Sequence, residues 1–172
     1  MKNRIPKNSI LWKGKHYFTW FAYKGKVPWL SNFAANTACL IDYRPKFTAD
    51  SIIVDVNAYF LEDSSWAKKE FADYYLLNHE LRHFDIAEIE CRRIREYLSN
   101  WTGPDQDSYQ SYYYIGSLSV WKDSMTEQYD AETQHSKNRT EQEIWNKKID
   151  SLLMVTEPFR NSTVRLGYKR KL

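Results

Sequence analysis

The spacing of hydrophobic residues divides the chain into a first part with strand-like patterns and a second part with helical ones. Ser51–Leu61 has the clearest two-residue period, with β-branched residues enriched, and predicts a strand with one buried face. Ile10–Phe21 and Ala35–Tyr43 are further strand candidates, and the second is expected to stop at Pro45. The residues expected on the buried face of the clearest strand are Val54, Val56, Ala58 and Phe60.

Helical spacing replaces the two-residue period in the second part of the chain. Phe71–Leu98 carries hydrophobic residues three, four or seven positions apart without an interrupting Gly or Pro, which predicts a long helix. Ser108–Tyr129 is less regular but is also expected to be helical, and Asp130–Asn138 is expected to be a loop. Thr140–Leu153 begins with a Thr-x-x-Glu capping box and predicts a last helix. Strands followed by helices are typical of an α+β fold rather than of alternating βαβ units.

The composition fits one globular domain. The chain has 172 residues, a length that suits a single domain over residues 1–172, with residues 1–9 and 158–172 as flexible or peripheral ends. No hydrophobic run approaches the roughly 20 residues of a membrane-spanning helix. The net charge of +3 gives no argument for a nucleic-acid partner, and nothing indicates the oligomeric state. Met1–Asn8 lacks the hydrophobic segment of a signal peptide.

The sequence His79-Glu80-Leu81-Arg82-His83 lies inside the long predicted helix and has the HExxH pattern. Residues four apart in a helix differ by about 40° in direction and by one turn, so both histidines can bind one metal ion. Glu80 points about 100° away from His79, where its carboxylate can take a proton from a water beside the metal. The hydrophobic residues around the motif indicate a helix that is buried over much of its surface.

The third zinc ligand is not decided by this helix. A catalytic zinc ion commonly has three protein ligands and one water. No acidic residue after His83 combines a suitable direction with a suitable distance on a regular helix. The ligand is therefore expected from elsewhere in the chain. The candidates are His16 in the N-terminal strand region and Asp130, Glu132 and His135 in the predicted loop.

Three segments resemble DUF922, a bacterial family of predicted secreted zinc-dependent proteases. Phe18–Pro28, followed by Phe33–Thr37, is similar to the family's opening pattern LTWxDFkGxPP and its later Ala-x-Thr. Leu76–Glu88 is similar to LLxHEQxHFDIAE, and Tyr129–His135 is similar to YDxETxHG. The middle segment is the most specific, because it extends HExxH by five further matching residues.

Residues after the third segment also match, while two positions depart from the pattern. The matching residues are Gln142, Trp145 and Ile149. Leu81 stands where the family often has Gln, and Ser136 stands where Gly is usual. Neither departure removes a candidate ligand, but Gly allows a positive φ that Ser does not readily adopt.

The resemblance implies a zincin-like fold, in which an N-terminal, mainly antiparallel sheet packs on a long HExxH helix that C-terminal helices follow. It implies a zinc ion held by His79, His83 and His135, since the segment 129–135 resembles a site motif. It also implies an exported enzyme, located in the periplasm or outside the cell.

The expected activity is zinc-dependent hydrolysis of peptide bonds, with a peptide or protein as the substrate. Glu80 is expected to act as general base, Tyr129 to donate a hydrogen bond to the developing oxyanion, and Asp130 to orient a ligand histidine. The strand 51–61 is expected to pair with extended substrate. The alternative is a non-catalytic binding or scaffold protein with a structural metal ion or none, although an intact Glu80 argues against it.

Overall fold

The computed structural model describes residues 5–14, 18–100 and 108–167, without the side chains of residues 108–119. His16, the predicted helix stop at 101–104 and the basic segment 169–171 lie outside the described residues. Within these residues the fold is α+β, and no helix is long and apolar enough to span a membrane. The strands are β1 (Ser9–Leu11), β2 (Ala35–Asn36), β3 (Cys39–Phe47), β4 (Ser51–Leu61), β5 (Trp66–Ala67) and β6 (Thr163–Gly167). The helices are α1 (Tyr74–Ser99), α2 (Ser108–Thr133) and α3 (Arg139–Val155), with short 3₁₀ turns at Trp20–Ala22, Lys69–Phe71 and Glu157–Phe159.

Strand β4 is the centre of the main sheet. β3 pairs with one edge of β4, while β1 and β6 share the other edge, β1 near Leu61 and β6 near Ser51. All three pairings are antiparallel, and β2 pairs with β5 in a separate two-stranded sheet. The residues predicted to face inward from β4 are all buried, which confirms the two-residue period. Because both edges of β4 are occupied, the prediction that this strand pairs with substrate is wrong.

Helix α1 is buried on two sides. Asp73 caps its N-terminus, since the Asp73 carboxylate accepts a hydrogen bond from the Leu76 N–H at 2.7 Å. Ile86 and Ile89 pack against side chains of α2 and α3. The stripe in the same core as β4 repeats every three or four residues and consists of Phe84, Ala87, Cys91, Ile94 and Leu98. This double burial fixes the HExxH segment between the sheet and the other two helices.

Several boundaries differ from the sequence predictions. β3 continues through Pro45, which an edge strand tolerates because a missing N–H on its outer side removes no ladder bond. Of the first strand candidate, the described residues form β1 at its start and a 3₁₀ turn at residues 20–22 near its end. α2 continues to Thr133, so Asp130 lies on the last turn of a helix rather than in a loop.

Parts of both predicted peripheral ends belong to the sheet. Ser9 begins β1, and β6 lies wholly within the predicted C-terminal end. Val164 and Leu166 alternate toward the core and are buried in the same cluster as β4. A pattern of two hydrophobic residues in a five-residue segment is too short to be distinguished from a solvated tail by periodicity alone.

Leu166→Ala tests the place of β6 in the core. We expect it to lower the free energy of unfolding by about 2–5 kcal/mol, because the side chain is 6% exposed and its loss leaves a cavity. The matched change Leu30→Ala should cost less than about 0.5 kcal/mol, since Leu30 is 88% exposed. Urea denaturation followed by circular dichroism measures both, and equal costs would contradict the core position of β6.

Candidate metal centre

Helices α1 and α2 bring three potential metal ligands together. His79 and His83 project from one side of α1, and Asp130 lies on the last turn of α2. Asp130 Oδ1 is 3.1 Å from His79 Nε2 and 3.2 Å from His83 Nε2, and the three ligand atoms all lie within 4.8 Å of one another. Zinc bonds of roughly 2.0–2.1 Å in a tetrahedral site separate neighbouring ligand atoms by about 3.3 Å. The two separations from Asp130 are close to that value, so the three side chains form a candidate metal site.

Hydrogen bonds with α3 fix the tautomer of His79. Arg82 Nε, which can only donate, donates to Asn146 Oδ1 at 3.0 Å, and Gln142 Nε2 donates to the same oxygen at 3.1 Å. Gln142 Nε2 also donates to the Tyr129 hydroxyl at 2.7 Å, and that hydroxyl donates to the His79 carbonyl at 3.1 Å. Gln142 must therefore present its carbonyl oxygen to His79 Nδ1, 2.9 Å away, so Nδ1 carries the hydrogen.

With its hydrogen on Nδ1, neutral His79 directs a lone pair from Nε2 toward the Asp130 carboxylate. Two acceptors 3.1 Å apart require a positive group between them, either a second proton on the imidazole or a metal ion. When the imidazoles instead carry the proton and donate to Asp130, burial raises the pKa of that carboxyl, but the hydrogen bonds from His79 and His83 outweigh burial and hold the pKa well below its usual range. Burial lowers the pKa of His83, whereas the hydrogen bond to Asp130 and the charge of Glu80 raise it, and the net shift is upward.

The ring of Tyr129 packs against the imidazoles of both His79 and His83. Its ring stacks on His79 with centroids 4.5 Å apart and meets His83 edge to face at 5.0 Å. The side chain is fully buried, and burial raises the pKa of its hydroxyl above the ordinary value. The hydroxyl hydrogen is already donated to the His79 carbonyl. Tyr129 is not among the residues that line the cavity beside Glu80, so its donation to an oxyanion stays a prediction and its observed contacts are those of packing.

His135 lies beside the three-ligand group but does not belong to it. The side chain is 50% exposed, its Nδ1 is 3.7 Å from Asp130 Oδ1, and its ring contacts Phe33 at 4.8 Å. The turn from residue 134 to 136 has φ angles of +51°, +51° and +71°, a left-handed conformation that costs non-glycine residues roughly 1–2 kcal/mol each. Asp130 rather than His135 is the third member of the potential ligand group, and Gln142 rather than Asp130 bonds His79 Nδ1, while the assignment of His135 as a ligand stays a prediction.

Glu80 lies next to the ligand group. Its carboxylate accepts a hydrogen bond from one hydroxyl group, which in turn accepts one from a second hydroxyl group. Thr37 Oγ1 donates to Glu80 Oε2 at 2.7 Å, so the 2.8 Å contact between Tyr23 and Thr37 has the Tyr23 hydroxyl as donor. Burial and the charge of Glu80 raise the pKa of Tyr23, so this hydroxyl keeps its hydrogen. Within the described residues Glu80 Oε1 accepts no hydrogen bond, and it is therefore free to receive one from a water.

A cavity of about 150 Å³ adjoins Glu80 and the three ligands, and residues 33–37, which include β2, form its other wall. The Lys68 N–H donates to the Ala34 carbonyl at 2.8 Å. Because hydrogen-bonded and non-bonded positions alternate in an antiparallel pair, the backbone groups of Ala35 point away from β5. Within the described residues, the N–H and C=O of Ala35 therefore form an unpaired edge on the strand beside the cavity.

Three partner residues of the site, Tyr23, Thr37 and Gln142, are not identified by any spacing pattern in the sequence. All three lie in or shortly after the segments that resemble DUF922, and that resemblance is the signal that points to them. The bond between Thr37 and Glu80 spans 43 residues and the bond between Gln142 and His79 spans 63. Local periodicity carries no information about contacts at such separations.

Comparisons with protein-family models, with curated proteins and with solved structures found no match to this chain. The resemblance to DUF922 therefore stays a prediction, and the geometry of the centre carries the functional argument.

Gln142→Met tests the hydrogen bond that fixes the His79 tautomer. Removing the acceptor of Nδ1–H leaves the ring free to turn, and such outer partners contribute about 10–100-fold to metal affinity. We expect Zn²⁺ affinity, measured by competition with a chromogenic chelator, to fall by about that factor. The same change at the exposed Gln128 should have no effect. Equal affinities in the two variants would contradict the role of Gln142.

Proposed function

We propose that the protein is a zinc-dependent peptidase with a zincin-like fold, in which His79, His83 and Asp130 hold the zinc ion and Glu80 is the general base. The observation that carries this proposal is the 3.1 Å separation between Nε2 of the buried His79 and the Asp130 carboxylate, two acceptors when a neutral imidazole carries its hydrogen on Nδ1, next to the HExxH glutamate. A cation between these acceptors removes their repulsion. The packing of α1 against an antiparallel sheet supports the zincin-like fold, and the resemblance to DUF922 supports export.

The donor set fits zinc better than a hard cation. Two imidazole nitrogens and one carboxylate oxygen form a ligand set found in catalytic zinc sites, whereas Mg²⁺ and Ca²⁺ prefer oxygen ligands throughout. Three protein ligands leave one position for water or substrate. A zinc ion bound there supplies the Lewis acid that activates water and polarises the scissile carbonyl.

The side chains of the centre supply the proton transfers and the orientation. Glu80 takes a proton from the attacking water and returns it to the leaving amine nitrogen. Thr37 holds Oε2 of that carboxylate, which leaves Oε1 for the water. Gln142 keeps the hydrogen on His79 Nδ1 and so keeps Nε2 as the ligand atom. Tyr129 restricts both imidazoles by ring packing.

The free edge of β2 supports a peptide as the substrate. Ala35 offers one N–H and one C=O that β5 does not use, on the strand that lines the cavity. An extended peptide can pair with such an edge through its own backbone, which gives affinity that does not depend on the substrate's side chains. In this proposal the strand that pairs with substrate is therefore β2 and not the strand 51–61.

His135 supports one alternative function, a non-catalytic protein with a closed metal site. Its Nδ1 lies only 3.7 Å from Asp130 Oδ1, so a rotation of this half-exposed side chain toward the ligands would provide a fourth protein ligand. Four protein ligands are typical of structural zinc sites and leave no position for water. The behaviour of a His135 variant therefore separates the two functions.

Zinc content and peptide cleavage test the proposal together. Wild type should retain about one zinc ion per chain after dialysis and should cleave a peptide mixture. Glu80→Gln should keep zinc while cleavage falls by about 10²–10⁴-fold, because the general base is lost. The matched change at the exposed Glu143 should alter neither. Asp130→Ala should lose zinc, and His135→Ala should keep both zinc and activity.

Three outcomes would change the assignment. A wild type that binds no zinc under replete conditions would overturn the metal centre. A wild type that binds zinc but cleaves no peptide, together with weaker zinc binding in His135→Ala, would favour the closed scaffold site. Loss of zinc in His135→Ala with retention in Asp130→Ala would establish the three-histidine ligand set instead.

Tyr129→Phe separates a packing role from an oxyanion role. Removing the hydroxyl deprives Gln142 Nε2 of one acceptor, so the free energy of unfolding should fall by about 1–2 kcal/mol. The value of kcat should change by less than about tenfold. An oxyanion donor would instead contribute about 10²–10³-fold to kcat, and a loss of that size would contradict the packing role. Tyr43→Phe, on the exposed part of β3, is the control for both measurements.

A further inference from the structure

A second cavity, of about 390 Å³, lies on the other side of α1 from the metal centre. Glu88, Arg92 and Arg95 line it, and they point about 160–220° away from His79 around the helix. The cavity lies where the sheet is interrupted between β1 and β6. The Trp12 N–H bonds to β4 on one side of the gap, and the Ser162 carbonyl accepts from β4 on the other.

Arg95 fills the gap in the sheet between β1 and β6. Together with Arg92 it leaves a buried excess of positive charge. Its guanidinium donates to the Val56 carbonyl at 2.6 and 3.0 Å and to Glu88 at 2.9 Å. Arg92 Nε donates to the same Glu88 oxygen at 2.9 Å. Two guanidinium groups, each more than nine-tenths buried, therefore share one carboxylate. Carbonyl oxygens solvate these charges but do not neutralise them.

Hydrogen-bond donors without an acceptor converge on this cavity. Arg92 uses Nε on Glu88 and Nη1 on the Leu153 carbonyl, but within the described residues its Nη2 has no hydrogen bond. The side chains of Lys13, Asn57 and Ser162 line the same cavity, and among the described residues they too make no side-chain hydrogen bond. The two carboxylates at the cavity, by contrast, are both paired with arginine. Lys13 and Arg92 are donors only, while Asn57 and Ser162 can also donate, so four side chains at the cavity can donate to one ligand.

We propose that this cavity binds a small organic acid through its carboxylate or phosphate group, with Arg92 Nη2 as the central donor. Guanidinium groups recognise such oxyanions through charge-assisted hydrogen bonds. Leu11 and the Trp12 ring supply an apolar wall for a short hydrophobic body. The volume falls in the range of about 300–1,000 Å³ that small-molecule sites occupy.

This site stands independently of the metal centre. Within the described residues, no hydrogen bond or ion pair joins a residue that lines it to His79, His83 or Asp130. Occupation of the cavity would neutralise the excess charge of Arg92 and Arg95 at the point where α1 crosses the sheet. A protein that holds no metal ion is therefore expected to bind the acid as well as the metal-loaded form does.

Isothermal titration calorimetry with three small probes tests the proposal. Benzoate and inorganic phosphate represent the two oxyanions, and benzamide is the uncharged isostere of benzoate. Saturable binding of benzoate or phosphate, but not of benzamide, is expected at constant ionic strength. Arg92→Lys keeps the positive charge and can still reach Glu88. It has no atom equivalent to Nη2, the proposed donor to the ligand, so affinity should fall by about tenfold or more.

A second variant guards against misfolding of Arg92→Lys. Ser162→Ala removes a hydroxyl that has no hydrogen bond within the described residues, so the fold should be unchanged while affinity falls severalfold. Lys46→Gln, which removes an exposed cation on β3, should bind as wild type does. Absence of saturable binding of both acids, equal binding of benzamide, or unchanged affinity in both cavity variants would overturn the proposal. Binding of benzoate alone assigns the site to carboxylates, and binding of phosphate alone assigns it to phosphates.

Discussion

The burial of α1 on both sides is the constraint from which the rest of the structure follows. The helix lies between the sheet and two other helices, yet seven of its buried residues are polar or charged: His79, Glu80, Asp85, Glu88, Glu90, Arg92 and Arg95. A buried polar group destabilises the fold unless it is hydrogen-bonded. Each of these side chains therefore needs a partner from another element or from its own helix, and the positions of those partners define the architecture around α1.

The partners come from separate parts of the chain, and this ties the elements together. Gln142 on α3 bonds His79, Asp130 on α2 faces both histidines, and Thr37 beside β2 bonds Glu80. A cation bound at the histidines would therefore join α1 to the last turn of α2, while Gln142 adds α3. Metal binding of this kind contributes directly to folding free energy. It would also offset the strain of the left-handed turn that follows α2.

The parts that sequence patterns predicted are those in which a long segment keeps one period. β4 and α1 each repeat their hydrophobic spacing over ten residues or more, and their secondary structure, burial and, for β4, boundaries follow from it. The end of α2 carries no such signal. Residues 134–136 adopt positive φ although none of them is a glycine, so no residue type marks where the turn begins. The helix was therefore predicted to end at Tyr129, which placed Asp130 in a loop. His135 was favoured as a ligand over Asp130 because the segment 129–135 resembles a site motif of DUF922, and the direction of Asp130 on the helix could not be read from the sequence.

The segment 33–37 links substrate binding to base catalysis in the proposed function. It lines the cavity, leaves the backbone of Ala35 unpaired and places the Thr37 hydroxyl on Glu80. Its position depends on contacts outside itself: Lys68 holds its backbone, and the Gly25 N–H donates to the Ser65 carbonyl at 2.8 Å. A Cβ on Gly25 would lie 2.8 Å from that same carbonyl oxygen, so only glycine allows the approach.

A displacement of β2 would therefore move the substrate edge and the partner of the general base together. Misplacement by about 1 Å is enough to reduce catalysis strongly, and Gly25 itself lies neither in the lining of the cavity nor in the ligand group. The catalytic geometry in this proposal thus rests on a backbone contact between two loops as much as on the HExxH helix. The helix alone can position two histidines and a glutamate, but it cannot supply the opposing wall against which a peptide is held.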